Sequence, residues 1–176
     1  MMAGTDGAPE KTRMTAGLRP FLPADAPLLA EIFRASIADL TAEDYSEAQQ
    51  AAWAASAGDE DAFGARLAGE LTLVATVGGE AVGFAALKGK DVVDMLYVHP
   101  AVAGQGVGAQ LLDALEKLAA ARGATKLTAD ASDTAVGFFE RRGYVPQQRN
   151  SVACGDEWLA NTTVQKTLPA PARSAK

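Results

Sequence analysis

Three glycines at alternate positions, Gly104, Gly106 and Gly108, sit inside DMLYVHPAVAGQGVGAQLLDALEKLAAARG, between an apolar β-type run and an amphipathic segment. A turn stripped of side chains lets consecutive backbone N–H groups converge on an anion, at a helix N-terminus that carries about +0.5 charge. The chemistry that this spacing suits is the binding of phosphate oxygens. Just upstream, Asp94 is the only charge between Val92 and Val98. A carboxylate there reads in two ways, as a general base or as an outward-facing charge on an edge strand.

The elements that must position these residues follow from periodicity. Val107, Leu111, Leu112, Leu115, Leu118 and Ala119 recur at helical spacing, Asp113, Glu116 and Lys117 fall off that stripe, and Gly123 ends the helix. Val92 to Val98 is β-branched and apolar, and Pro100 stops it. Strand, glycine turn, helix is an order shared by several phosphate-binding motifs. The GxxxxGK[ST] signature is absent. Gly104, Gly106 and Ala109 do spell GxGxxA, with Asp130 after the apparent strand Thr125 to Ala129, which is the pattern of a dinucleotide-binding protein. Against that reading, the short remainder after Asp130 reads as one helix and a hairpin. Upstream, LTLVATV, AVGFAALKGK and DVVDMLYV read as an antiparallel meander.

From Leu18 to Leu168 the chain resembles the GCN5-related N-acetyltransferase (GNAT) superfamily, in the form of a small bacterial acetyltransferase. Two landmarks carry the resemblance. The family's pyrophosphate motif aligns as Ala103, Gly104, Gln105, Gly106, Val107, Gly108; Ala103 brings no side-chain donor, so the backbone of the loop through Ala109 is what carries over. The second is ASDTAVGFFERRGYVP, with Ser132 where Asn is usual and Phe139 where many members have the Tyr that protonates the departing thiolate. The resemblance implies an α/β (α+β) fold, a mixed, mostly antiparallel sheet of about seven strands flanked by about four helices.

It also implies acetyl-CoA (coenzyme A) as cofactor and direct attack of an amine on the thioester in a ternary complex. The backbone of Leu96 and Val98 would pair with the pantetheine arm where two strands splay. A backbone N–H around Leu96 and Tyr97 would hold the oxyanion. Ser132, Phe138 and Phe139 fall in the cofactor site, and Arg142 or Arg141 could reach a phosphate. Asp94 leads as the base, with Glu157 behind it. Tyr144 is the nearest hydroxyl to serve as acid; a core aromatic, or a thiolate that leaves unaided, are its alternatives.

In the N-terminal third a short strand at Leu18 to Phe21 precedes Leu28, Leu29, Ile32, Phe33, Ile37 and Leu40 at helical spacing, with Asp25 as cap. A second helix is expected over Ser46 to Ala57. Tyr45 and Trp53 flank it, either in the core or overhanging the acceptor. The last segment reads as a hairpin turning at Cys154 to Asp156, with Trp158 and Asn161 on the return strand as further acceptor contacts.

Length and charge bound the rest. The 176 residues suit one domain, 17–168, with loose tails at 1–16 and 169–176. A net charge of −6 disfavours nucleic acid. The lone Cys154, expected to be inert, excludes an intrachain disulfide and a cysteine metal cluster, and the single His99 leaves little for a Ser–His–Asp triad. No signal peptide or membrane span is read, so the expectation is a cytoplasmic protein without membrane partners; a homodimer stays open. The resemblance implies a small-molecule or peptide amine as acceptor. The rival from another class is a non-catalytic protein that binds and senses acetyl-CoA.

Overall fold

The structure, a computed structural model, describes residues 13–170. Residues 1–12 and 171–176, most of the two expected tails, lie outside the described residues. The elements run β1 (Gly17–Pro20), α1 (Ala26–Leu40), α2 (Glu47–Ala54), α3 (Glu60–Ala68), β2 (Leu71–Val77), β3 (Glu80–Lys88), β4 (Val92–Val98), α4 (Val107–Ala121), β5 (Lys126–Ser132), α5 (Val136–Arg141), β6 (Val145–Cys154) and β7 (Glu157–Thr167). The sheet order is β1-β2-β3-β4-β5-β7-β6. Every neighbouring pair is antiparallel except β4 and β5.

The expected sheet is present, with one helix more than anticipated among the described residues. The extra helix is α3, which Asp59 caps by accepting from the Ala62 N–H at 3.0 Å. Phe63 and Leu67 bury its inner face. Gly64 faces α1 so closely that a Cβ there would stand 2.9 Å from the Ala26 methyl. Asp25 does not cap α1 as expected. Its carboxylate holds Arg19 at 2.7 and 2.8 Å and accepts from the Leu22 N–H, tying β1 to the start of the helix.

Alternation along the strands divides the core into two faces. Leu96, Val98, Leu127 and Ala129 point to the side covered by α4 and α5, where Leu111, Leu112, Leu115, Phe138 and Phe139 complete an aliphatic and aromatic layer. Met95, Tyr97 and Phe84 point the other way, under α1, α2 and α3, against Phe33, Trp53 and Phe63. Residues 13–16, read from composition as the end of a tail, lie against α4. The Met14 N–H donates to the Gln105 carbonyl at 2.8 Å, and the Gln110 side chain bonds both the Met14 carbonyl and the Ala16 N–H. Among the described residues no helix is long and apolar enough to cross a membrane.

Candidate active site

The centre of the site is the seam between the two parallel strands. β4 and β5 pair at only two positions, Val92 with Thr128 and Val93 with Ala129, and then part. Parting leaves one side of β4 from Met95 onward without a neighbouring strand. At the same point β3 and β4 change register: Ala86 opposes Met95 while Leu87 opposes Val93, so Asp94 is the extra residue of a bulge. A bulge re-aims a side chain. Asp94 thereby leaves the alternation and turns toward α3, where Arg66 donates to its Oδ2 at 2.6 Å from Nη2 and 3.0 Å from Nε.

The edge-strand reading of Asp94 does not survive this placement, since β4 lies in the middle of the sheet. Burial works to raise the Asp94 carboxyl, and hydrogen bonding from Glu70 together with the Arg66 guanidinium outweighs it, holding the group below its ordinary range. Glu70 responds in the opposite sense: burial, then its contact with Asp94, push its carboxyl up to about 7. Asp94 lines a small cleft at the fork where the strands begin to part, with the paired Val92, Val93, Thr128 and Ala129 and with Asp130.

On the α1–α3 side a cavity of about 230 Å³ opens beside the same cleft, and Asp130 belongs to both. Its walls are Phe33, Trp53, Met95, Tyr97 and Leu159, its polar groups Arg66, Asp130 and Asn161, and the β6–β7 hairpin closes it with Val152 and Cys154. Trp53 donates from Nε1 to the Tyr97 hydroxyl at 3.2 Å, and burial drives that hydroxyl far above its usual pKa. Asn161 is buried and accepts from Asn150 at 2.9 Å, while Asp130 accepts from Thr163 at 2.6 Å. Burial raises the Cys154 thiol, so it is protonated at neutral pH.

Of the residues expected to touch an acceptor, the structure therefore brings Trp53 and Asn161 to one cavity. Tyr45 does something else. Its buried hydroxyl donates to the Ala160 carbonyl at 2.5 Å and accepts from the Asp133 N–H at 2.9 Å, pinning the α1–α2 connection to β7 and to the turn after β5; burial pushes its pKa up to about 12. Trp158 is 63 % exposed and faces away from Leu159, outside the cavity. Alternation on β7 separates the two neighbours.

On the α4 side the glycine turn has the anticipated form. Gly104 and Gly106 have φ of 74° and 90°, and Gly106 is the N-cap of α4. Only glycine adopts that backbone without strain, and it leaves the first amides of α4, at Val107, Gly108 and Ala109, pointing out of the turn. A cavity of about 130 Å³ lies over it, lined by Arg13, Gln105, Gly106, Gln110 and Arg142. Arg13 leans on the cap, its Cγ 3.8 Å from where a Gly106 Cβ would stand. Arg142 is held by Asp113 at 2.6 Å beside the Phe138 ring. The Val98 carbonyl accepts from the Ser36 hydroxyl of α1. Ser132 receives the Ala135 N–H at 3.1 Å and so caps the turn into α5.

Tyr144 was the sequence's candidate acid, and its place argues against that role. It is buried beside Phe139, donates to Glu116 of α4 at 3.0 Å, and lines neither the cleft nor the acceptor-side cavity. Burial and the Glu116 carboxylate raise its pKa well beyond the ordinary value. Phe139 is fully buried in the same layer. Sequence reasoning missed Arg13, Phe33, Arg66, Glu70 and the second role of Asp130. The signal for Asp130 was there, a charge among Leu127, Ala129 and Ala131 on a strand whose alternate residues are apolar. Among the described residues no group of three or more His, Cys, Asp or Glu is placed to hold a metal ion.

Comparison with known proteins identifies the family. The family model described as the acetyltransferase (GNAT) domain matches residues 41–162. The N-acetyltransferase YafP of Escherichia coli K12 is 33 % identical over 144 residues, covering 82 % of this chain and 91 % of that protein. A crystal structure of a GCN5-related N-acetyltransferase from Rhodopseudomonas palustris is 62 % identical, with a TM-score of 0.87 over 89 % of this chain and 98 % of the other. The PaiA N-acetyltransferase of Thermoplasma acidophilum, solved with coenzyme A, shares the fold at 19 % identity, with a TM-score of 0.73 over 88 % and 99 % of the two chains. The chain belongs to the GNAT family of acetyltransferases.

Proposed function

We propose that the protein transfers an acetyl group from acetyl-CoA to a compact primary amine, by direct attack in a ternary complex assembled across the β4–β5 seam. The observation that carries this reading is the parting of the two strands after Val93 and Ala129. The pantetheine arm would enter there as an added strand along Leu96 and Val98, and the pyrophosphate would meet the amides of Gly104 to Ala109. Ala103 offers this site no cation; Arg13, arriving from the N-terminal segment, and Arg142 face the same turn and would supply it. A relative of the same fold carries coenzyme A.

The amine would sit in the cavity between Trp53, Phe33 and Tyr97, with its nitrogen at the cleft shared by Asp130 and Asp94. Aromatic walls and about 230 Å³ suit an apolar or aromatic body better than a polyamine or an oligosaccharide. Three demands then have owners. Asp94 takes the proton that an ammonium of pKa near 10 must lose. A backbone N–H around Leu96 and Tyr97 stabilises the oxyanion. With Phe139 lacking a hydroxyl and Tyr144 committed to Glu116, the thiolate leaves to solvent.

Release of free coenzyme A tests the reading, using 2-phenylethylamine, isopentylamine, spermidine and an alanine-terminated peptide as acceptors. Turnover is expected to be highest with the first two. Turnover confined to spermidine or the peptide would contradict the acceptor assignment, and none with any amine would contradict the reaction.

A further inference from the structure

Asp94 does not stand alone. Glu70, the residue before β2, has a side chain only 9 % exposed, and its Oε2 is buried without a donor. Arg66 reaches both carboxylates, so Glu70 and Asp94 share one cation, and hydrogen bonding between the two raises the Glu70 carboxyl and lowers that of Asp94. Arg66 approaches the other Glu70 oxygen only to 4.0 Å and gives its short bonds to Asp94. Two ionised carboxylates offer acceptors alone, so this contact is satisfied only when a proton lies between them. The two residues also face different spaces. Asp94 opens on the cleft between β4 and β5, whereas Glu70 lines a separate cavity of about 400 Å³ with Phe21, Leu71 and Thr72.

We propose that Glu70 and Asp94, clamped by Arg66, act as one proton acceptor: Asp94 takes the proton of the bound ammonium, and Glu70 stores it and releases it to water on the far side. In the first step an N–H bond of the ammonium breaks, its electron pair stays on nitrogen, and an O–H bond forms on the pair. In the second that O–H bond breaks, the proton goes to water in the Glu70 cavity, and the pair returns to two carboxylates. Asp94 is the group that touches substrate, and Glu70 is a positioning residue that acts through it. The inference rests on the acetyltransferase reading above.

Asp94 by itself is poorly matched to the task, because a carboxyl held below its ordinary range gives up a proton too readily to keep it. Joined to Glu70, it belongs to a pair that takes its first proton near neutrality. The charged groups facing Glu70 are Asp94 on β4, Arg66 on α3 and Lys88 on β3. The two cations stabilise the doubly ionised pair between turnovers.

The test has two arms on the full-length protein. Carbon-13 NMR of labelled carboxyls in the free protein should show one Glu resonance titrating close to pH 7 and moving to lower pH in Asp94→Asn. With 2-phenylethylamine as acceptor, kcat/KM should rise with pH through about 7 in the wild type. In Glu70→Gln, whose amide donates permanently to Asp94, that rise should disappear and turnover at pH 8 should fall at least tenfold. The KM for acetyl-CoA should stay unchanged, and Glu70→Asp should restore part of the rise. A Glu70 that titrates near its ordinary value, or a Glu70→Gln variant that keeps the rise and its rate, would overturn the proposal. Failure of the wild type to bind acetyl-CoA in a thermal-shift control would instead overturn the reading beneath it.

Discussion

The two faces of the sheet solve different problems with different materials. Under α4 and α5 the layer is built from Leu111, Leu112, Leu115, Leu127 and Phe139, and the proposed cofactor contacts come chiefly from main-chain amides of a turn shaped by Gly104 and Gly106, with Arg13 and Arg142 beside them. Under α1, α2 and α3 the layer is aromatic, and its polar groups belong to side chains: Asp94, Arg66, Asp130, Asn161. A backbone cradle depends little on any one flanking side chain, so on the proposed reading Ala103 in place of the family's donor should cost it little. A site made of side chains has no such reserve, because each group holds its neighbour in place. Chemistry on this second face should therefore be fragile, and binding on the first robust.

The comparison breaks most visibly at Phe139. Phe139→Ala removes a fully buried ring from the α4 side and should cost about 3–5 kcal/mol of stability by denaturant unfolding, with the acceptor preference unaltered. Asp94→Asn probes the other face: turnover should drop at least tenfold while calorimetric affinity for acetyl-CoA stays within a factor of two, roughly what loss of a general base entails. If both fall together, the two faces are not separable.

A smaller effect sharpens the side-chain face. Glu70 holds its proton up to about pH 7 in the folded chain, against an ordinary value of 4.5. Between those limits Glu70 binds more proton in the folded state than in the unfolded one, so its contribution to stability falls as pH rises from 4.5 to about 7 and is constant above that. Glu70→Gln should remove this slope and leave the variant more stable than wild type at pH 8, by on the order of 1–3 kcal/mol in urea unfolding. An unaltered slope would place the proton elsewhere. The smallest effect is on the backbone cradle. Arg13→Ala should weaken coenzyme A by about threefold to tenfold at low salt, with the difference shrinking as salt rises; a hundredfold loss would mean that the cradle depends on side chains after all.

The α4 side was legible because its signals are local. A seven-residue apolar strand, a glycine cluster and a helix with six apolar positions on one stripe fall within one stretch of chain, and β4 and α4 begin and end where periodicity put them. The other side was not, for reasons that particular residues make plain. The nine residues of α3 bury only Phe63 and Leu67 and include Gly64, too little stripe to announce a helix, yet this helix delivers Arg66. The Arg66–Asp94 and Glu70–Asp94 contacts join separate segments, and the bulge that aims Asp94 at them appears only when β3 and β4 are paired. Arg13 looked like tail because nothing in composition records that Met14 bonds Gln105. Tyr144 and Phe139 show the converse: the family's pattern located both, and burial alone reveals that neither offers a proton to the cleft.

Chemical-shift mapping of backbone amides on adding acetyl-CoA tests the central claim most directly. If the cofactor enters the β4–β5 seam, the amides of Leu96 to Val98 and Gly104 to Ala109 should shift most, and those of β1 and of β6 least. Shifts centred on β6 and β7, with the glycine turn unmoved, would contradict the account.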